Sequence, residues 1–448
     1  MTGNNNLASG LLSGNVVTGD QNQATGANAG NNVSGSNNQA SGNGAGNDVT
    51  GDENRASGPL SGNLVSGTRN QSSGSNAGNR VSGNNNQASG DGAGNDVAGN
   101  ENRASGPFSG NFVTGTRNQS SGANAGNNVS GNNNQASGDG AGNNVTGSQN
   151  RASGPFSGNF VTGNQNQSSG AFAGNGVSGN NNQASGLNAG NNVTGNNNIA
   201  SGLNAGNNVK GVNNISMGTG AGSGNVASYA VAIGNQSMAA ANSGVAIGNV
   251  AYVGGKSGVA VGGSAYAAGP DDTAIGAGAT VTADHSTAIG AGAVATLPNQ
   301  FVLATARDTY KTPGITSGLS RQRQSGPLQV VTTDATGNLA SDGGEIFRRL
   351  DIAAANIDEN RSGVALALAA VNPDLTGDER FGITANWGGF DGASAFGMGF
   401  EGVLGHDWIT PGDRVAVTGG WGVGFANNAG DDVYGGRVGA QWTWGSTR

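Results

Sequence analysis

The 448-residue chain has no cysteine, only two histidines, 10% charged residues and 5% aromatics. Each scarcity removes a class of protein. Without cysteine there is neither a disulfide framework nor a thiolate metal site, which suits a secreted protein stabilised by its architecture. A net charge of −8 supplies no basic face for nucleic acid. No uninterrupted apolar run approaches the roughly 18 residues of a membrane-spanning helix. Hydrophobic residues reach 34%, low for an ordinary globule, while the low charge is equally unlike a disordered tail. His285 in "TADHSTAIG" and His406 in "LGHDW" have no cysteine partner and read as turn residues, so neither takes a metal or catalytic role. Neither a cofactor nor an enzymatic activity is expected.

Glycine is abundant instead, at 87 residues, and it is periodic. From Ala8 to about Ile215 the chain follows a sixteen-residue template, A-S-G-x-x-x-G-N-x-V-x-G-x-x-N-Q. Val17 to Val209 occupy one column without exception, as do Asn15 to Asn207 and Asn22 to Asn214. A disordered linker has no reason to hold one phase so long. The phrases V-x-G and A-S-G alternate like short strands, placing Val or Ala on one face. Glycine and asparagine between them suit turns that need positive φ. Each repeat is therefore one coil of a narrow β-roll, with one Val and one Ala expected to fill its interior. The asparagine columns are expected to hydrogen-bond to turns and to one another along the stack.

Two motif readings fail here. "GAGNDVTG" lacks the lysine of a phosphate-binding loop, and the Asp-Gly phrases do not match the calcium-binding nonapeptide. A longer period of 48 residues lies over the first. Arg55, Arg103 and Arg151 share a position, as do Pro59, Pro107 and Pro155, and the pairs Leu60/Leu64, Phe108/Phe112 and Phe156/Phe160 recur with them. These apolar pairs are candidate ligand-binding or chain–chain contact patches.

From about Asn225 to Ala304 the period shortens to fourteen, with Ile233, Ile247, Val261, Ile275, Ile289 and Leu303 in one column. The stronger apolar alternation predicts a better-packed continuation of the roll. Residues 305–343 break the period and read as a connector, with a strand at "PLQVVTT" and a turn at "DATGN". A helix follows over 345–371, with Ile346, Leu350, Ala353, Ile357, Val364, Ala367 and Val371 near heptad spacing and Asn360 as a polar core position. Gly363 weakens it locally.

Four alternating segments close the chain. Their apolar sets are Phe381, Ile383 and Trp387; Phe396, Met398 and Phe400; Val415, Val417, Trp421 and Val423; and Val438, Trp442 and Trp444. The opposite face is mostly Gly, Ala, Ser and Thr, which fits strands with lipid outside and a lumen filled by helices. The chain thus divides into sixteen-residue repeats (1–216), fourteen-residue repeats (217–304), a connector or neck (305–343), and a helix with four strands (344–448).

The A-I-G repeats, the stretch "NQFVLATARDTYKTPGIT" at 299–316 and the helix-plus-four-strand end together resemble the trimeric autotransporter adhesins of the YadA-like family. The resemblance covers about 217–444 well, whereas the sixteen-residue array is a more divergent, polar version of the head roll. It implies a mainly all-β homotrimer with left-handed β-roll heads. Three chains would give four strands each to one twelve-stranded outer-membrane barrel around three helices. Implied partners are outer-membrane lipid, the barrel-assembly machinery, and a host matrix, abiotic surface or sister cells.

Four strands alone cannot close a barrel around three helices, and open edges are not tolerated in lipid, which independently favours a shared barrel. Met1–Gly3 falls in register with Val17–Gly19 and no signal peptide precedes it, so a truncated start of a surface protein is expected. Trp444 is followed by "GSTR", a departure from the aromatic terminus of such anchors. The expected function is multivalent attachment by a stack of coils roughly 90 Å long at about 4.8 Å per coil. The rival is a spacer or coat solenoid that binds nothing.

Overall fold

The computed structural model describes residues 1–426 and 430–444, so the "GSTR" tail lies outside the described residues. The chain forms two compact units, Met1–Thr309 and Tyr310–Arg448. The first is a β-solenoid. Its Q-A-S phrases are three-residue strands that stack in parallel into a 20-stranded sheet, from Leu7–Ser9 to Phe301–Leu303. Coil follows coil in strict register: Gln119 lies opposite Gln135, Ser120 opposite Ala136 and Ser121 opposite Ser137. The V-T phrases form a second stack of short strands and single bridges.

Period-two alternation puts Ala104 inside and its neighbours Arg103 and Ser105 outside. Val17 to Val209 make one continuous interior column. The interior holds more than the expected single Val and single Ala. Each coil also buries a second small residue, such as Ala125 or Ser109, and one asparagine, such as Asn118. Ser109 satisfies its hydroxyl by donating to the Gly106 carbonyl at 2.8 Å.

The buried asparagines answer how so polar a core can be satisfied. The Asn118 side-chain amide donates to Asn102 Oδ1 at 3.0 Å and to the Gly131 carbonyl at 2.8 Å. Its Oδ1 accepts the Asn134 backbone N–H at 3.1 Å and the Asn134 side-chain amide at 3.0 Å. All four hydrogen-bonding positions of the side chain are used. The Asn15 column runs a second ladder in the opposite sense, with the Asn111 N–H donating forward to Asn127 Oδ1 at 2.8 Å.

Up to three non-glycine positions per coil sit in the left-handed region, as at Asn124, Asn128 and Asn133 with φ of 55°, 57° and 58°. Asparagine tolerates that region better than other residues with a side chain. At Gly131, φ is 135° and a Cβ would overlap the carbonyl of Gly147 in the next coil, so only glycine allows the coils to close up.

The fourteen-residue region corrects one expectation. Its interior is indeed closely filled, but by Ala232, Ala246, Ala260, Ala274 and Ala288 together with Val253 and Val281, all without exposed surface. The Ile233 column flanks these alanines and faces outward, with Ile247, Ile275 and Leu303 exposed. The added hydrophobicity lies on the outer face of the sheet rather than inside the roll. A cross-section this narrow admits Ala at these positions, and alternation then sends both neighbours out.

In the second unit, helices Pro313–Thr316 (3-10) and Gly318–Arg323 precede a hairpin of Val331–Thr333 and Leu339–Ser341, closed by the expected turn. A 25-residue helix, Glu345–Ala369, leads to a four-stranded antiparallel sheet in chain order: Phe381–Phe390, Ala393–His406, Asp413–Phe425 and Val433–Trp444. The helix continues through Gly363 without a break.

Asp342 joins hairpin to helix. Its carboxylate accepts the N–H groups of Ile346 and Gly344, both at 2.9 Å, and of Val330 at 2.8 Å. The Ile346 and Gly344 N–H groups, in that order, hold its pKa below the ordinary carboxylate value. Asp334 is held lower still, first by the Asn338 side chain and then by that of Thr336.

Two outcomes follow. Asn118→Ala leaves the Asn134 N–H and Gly131 carbonyl unpaired and costs about 2–4 kcal/mol, read as roughly 30- to 1,000-fold faster hydrogen exchange at the Asn134 amide. Asn132→Ser, in a column where Ser148 already serves, leaves that rate within about threefold. For the hairpin, folded-state pKa values below the unfolded value mean stability that is present above about pH 4 and lost as pH falls through the folded values. Amide signals of 330–346 should therefore disperse normally at about pH 5 and collapse on strong acidification. Asp334→Asn together with Asp342→Asn should flatten that dependence.

Candidate functional site

Three surfaces carry the residues singled out by the sequence. The first is a turn edge of the solenoid. Leu60, Leu64, Phe108, Phe112, Phe156 and Phe160 all lie there, 49–66% exposed. All six have φ between 53° and 59°, a region bulky side chains rarely enter. In other coils the same columns carry residues such as Asn124, Asn128, Gly44 and Gly140.

Room for the first member of each pair comes from the coil before. A Cβ on Gly44 would lie 2.8 Å from Leu60 Cδ2, and one on Gly92 the same distance from the Phe108 ring. Gly140 is related in the same way to Phe156. The structure adds members the 48-residue pattern did not single out. Leu12 and Val16 occupy the same columns, also exposed and at positive φ. Phe172 stacks on Phe156 at a centroid distance of 5.3 Å. Leu12 was legible in principle, standing 48 residues before Leu60. The 48-residue arginines are exposed strand residues, Arg103 donating to Gln87 Oε1 at 3.1 Å.

At the other turn of the coil, which follows the V-T phrase, ion pairs join successive coils, Glu53–Arg69 and Glu101–Arg117, both at 2.8 Å. The pairs raise the pKa of Arg69 and Arg117 through hydrogen bonding to the glutamates. Such exposed pairs fix side chains more than they stabilise the fold.

The second surface is the outer face of the 20-stranded sheet. Its ranks are Gln and Ser through most of the sixteen-residue array, as in Gln135 and Ser137. From Ile199 onward they turn apolar: Ile199 pairs with Ile215, Ile215 with Val231, Val231 with Val245 and Ile233 with Ile247. Among the described residues of this face, Ile199, Ile247 and Ile275 are exposed.

The third surface is the C-terminal sheet with its helix. Phe381, Ile383 and Trp387 project from one face of the first strand. Trp387 pairs with Phe396 and Ile383 with Phe400, while Met398 pairs with Trp421 and Phe396 with Val423. Val415 lies opposite Trp442, with Val417, Val438 and Trp444 in the same outward phase. The named apolar residues thus share one face.

Glycines of the other face touch the helix backbone. A Cβ on Gly424 would overlap the Ser362 carbonyl, and one on Gly397 would fall 2.6 Å from the Ala369 carbonyl carbon. Ser362, Ala365, Leu366 and Ala369 form the seat on the helix, and Ser362 Oγ donates to the Phe425 carbonyl at 3.0 Å. The heptad residues Ile346, Leu350, Ala353, Ile357, Val364, Ala367 and Val371, with Asn360, point elsewhere and are exposed.

The small-residue reading of the inner face missed three charges. Glu401 is buried and accepts from Arg414 at 2.9 Å; Arg414 also donates to the Leu375 carbonyl at 2.7 Å. Arg437 donates to Asn372 Oδ1 at 2.6 Å. Their phase relative to Phe400, Val415 and Val438 was the available signal. His285 sits at an exposed turn, 3.6 Å from Asp271, and His406 ends the second strand. No cluster able to hold a metal occurs among the described residues. The chain matches no family model and no curated protein.

Gly424→Val is expected to unseat the helix at a cost of about 3 kcal/mol or more. Gly389→Ala, whose Cβ would have no neighbour closer than 3.7 Å, changes stability by less than about 0.5 kcal/mol. Thermal unfolding of the two variants checks the contrast.

Proposed function

We propose that the chain is a cell-surface adhesin that works as a homotrimer, anchored in a bacterial outer membrane by its C-terminal sheet and attaching through its solenoid. The observation that carries this reading is the sheet at 381–444. One face is apolar and open, the other is glycine-lined and seats a helix, and the first and fourth strands are each paired on one side only. Open strand edges have no place in lipid, so such a sheet needs neighbours to close it. Three copies would supply twelve strands and three helices.

Two further features support trimerisation. The heptad stripe of the helix is exposed among the described residues, as are Ile199, Ile247 and Ile275 on the outer face of the solenoid sheet. Exposed apolar surface of that extent marks association. Three identical solenoids then multiply weak contacts by effective concentration, so attachment to a host matrix, abiotic surface or sister cell needs no strong single site. Outer-membrane lipid and the barrel-assembly machinery are the partners of the anchor.

A non-adhesive spacer or coat protein is the second reading, favoured by the Gln/Ser ranks of the sixteen-residue array, which carry no evident recognition chemistry.

Fractionation separates anchored from soluble forms. Recovery of the full-length chain in the outer membrane as a heat-resistant trimer is the expected result, and a soluble monomer ends the proposal. Deleting residues 8–215 should lower surface attachment at least tenfold; unchanged attachment would assign the array to spacing alone.

A further inference from the structure

We infer that the 48-residue apolar pairs are a homotypic docking ladder, whose partner is the same ladder on a second copy of this chain. Two independent features set these positions apart. Leu60, Phe108 and Phe156, with Leu64, Phe112 and Phe160, are held at φ of 53–59°, where most other coils use asparagine, aspartate or glycine and Leu12, Val16, Arg80 and Phe172 are the exceptions. That conformation is unfavourable for Leu and Phe, and the side chains remain half-exposed, so burial within the chain does not offset it. Strain kept with so little packing in return points to a contact outside the chain.

The choice of partner rests on spacing. Successive pairs are three hydrogen-bonded coils apart, about 14 Å at the usual strand separation. Leu12 and Val16 extend the ladder to four rungs over roughly 43 Å. A ligand engaging all rungs must repeat with the same step. A second array does so by construction, because the same coils set its step. Even spacing lets the two arrays meet in parallel or antiparallel sense.

Charge also permits like to meet like. Between the first and last rungs these two columns hold only Asp48, Arg80 and Asp96 as charged residues, and Arg80 is bound to Asp96 at 2.5 Å. Together the rungs expose on the order of 1,000 Å² per copy, the scale of one side of a specific interface. The preceding Gly44, Gly92 and Gly140 leave space in which Leu60, Phe108 and Phe156 lie against the coil before, which limits the side-chain freedom lost on docking. In the adhesin reading, on which this inference rests for its biological setting, the ladder would join arrays on apposed cells.

The test replaces all six residues with asparagine, as Leu60→Asn, Leu64→Asn, Phe108→Asn, Phe112→Asn, Phe156→Asn and Phe160→Asn. Asparagine suits positive φ, so the variant should fold with an unchanged or higher melting temperature. Full-length protein in mild detergent is followed by sedimentation velocity from about 1 to 100 µM. The native chain should associate beyond its basal oligomer, and the variant should need at least tenfold higher concentration. A third protein with Phe→Leu at the four aromatic positions should retain association.

Equal association by native and asparagine forms overturns the inference, as does no association by the native chain. A melting temperature several degrees lower in the asparagine variant also overturns it, because the residues would then be packed inside the basal oligomer. Membrane fractionation reports separately on the adhesin reading, which can fail while the ladder still associates in solution.

Discussion

Each coil of the solenoid contains too little apolar material to hold its own shape, so its backbone must be satisfied by the coils on either side. The buried asparagine ladder makes that dependence acute. Asn118 donates to one neighbouring coil and accepts from the other, and its amide also holds the Gly131 carbonyl of the following turn. A single asparagine in that environment would be a buried polar group without partners. Stacked in register, each one satisfies the next, and the polar core becomes specific for one alignment. Slippage by even one residue would strand every amide at once.

Close stacking also explains the composition. Coils approach near enough at Gly131 that a methyl group would meet the carbonyl of Gly147, and left-handed turn positions favour asparagine wherever glycine is not used. The inner columns therefore have almost no freedom to vary. Inside the sixteen-residue array, variation goes no further than exchange of Ala and Ser; on outward positions the chain changes character twice: every third coil at the turn edge, and at Ile199 on the sheet face. Both changes place apolar groups outside an interior that gains nothing from them.

The C-terminal sheet uses glycine for a different purpose. At Gly397 and Gly424 the glycine is the contact surface, allowing a helix to lie directly on strands. With the inner face so occupied, aromatic and aliphatic side chains are left to the outer face, and Glu401 finds its charge balanced by Arg414 on the next strand. Among the described residues, helix and sheet each keep apolar side chains exposed, as at Leu350 and Trp387. These surfaces form the physical case for assembly.

Repeat length, the Val and Asn columns, one strand and the turn of the connector, the long helix and the phases of Phe381, Phe396, Val415 and Val438 were all determined by the sequence alone. They rest on local periodicity, which covalent geometry imposes on any chain. What the tertiary structure decided was which face is inside. Alternation assigns Ala232 and Ile233 to opposite faces without ranking them, and hydrophobicity alone would have buried the isoleucine. The narrow cross-section of the roll admits the alanine and turns Ile233 outward. Asn118 is the converse case, a polar residue drawn into the core because only stacked coils supply its partners.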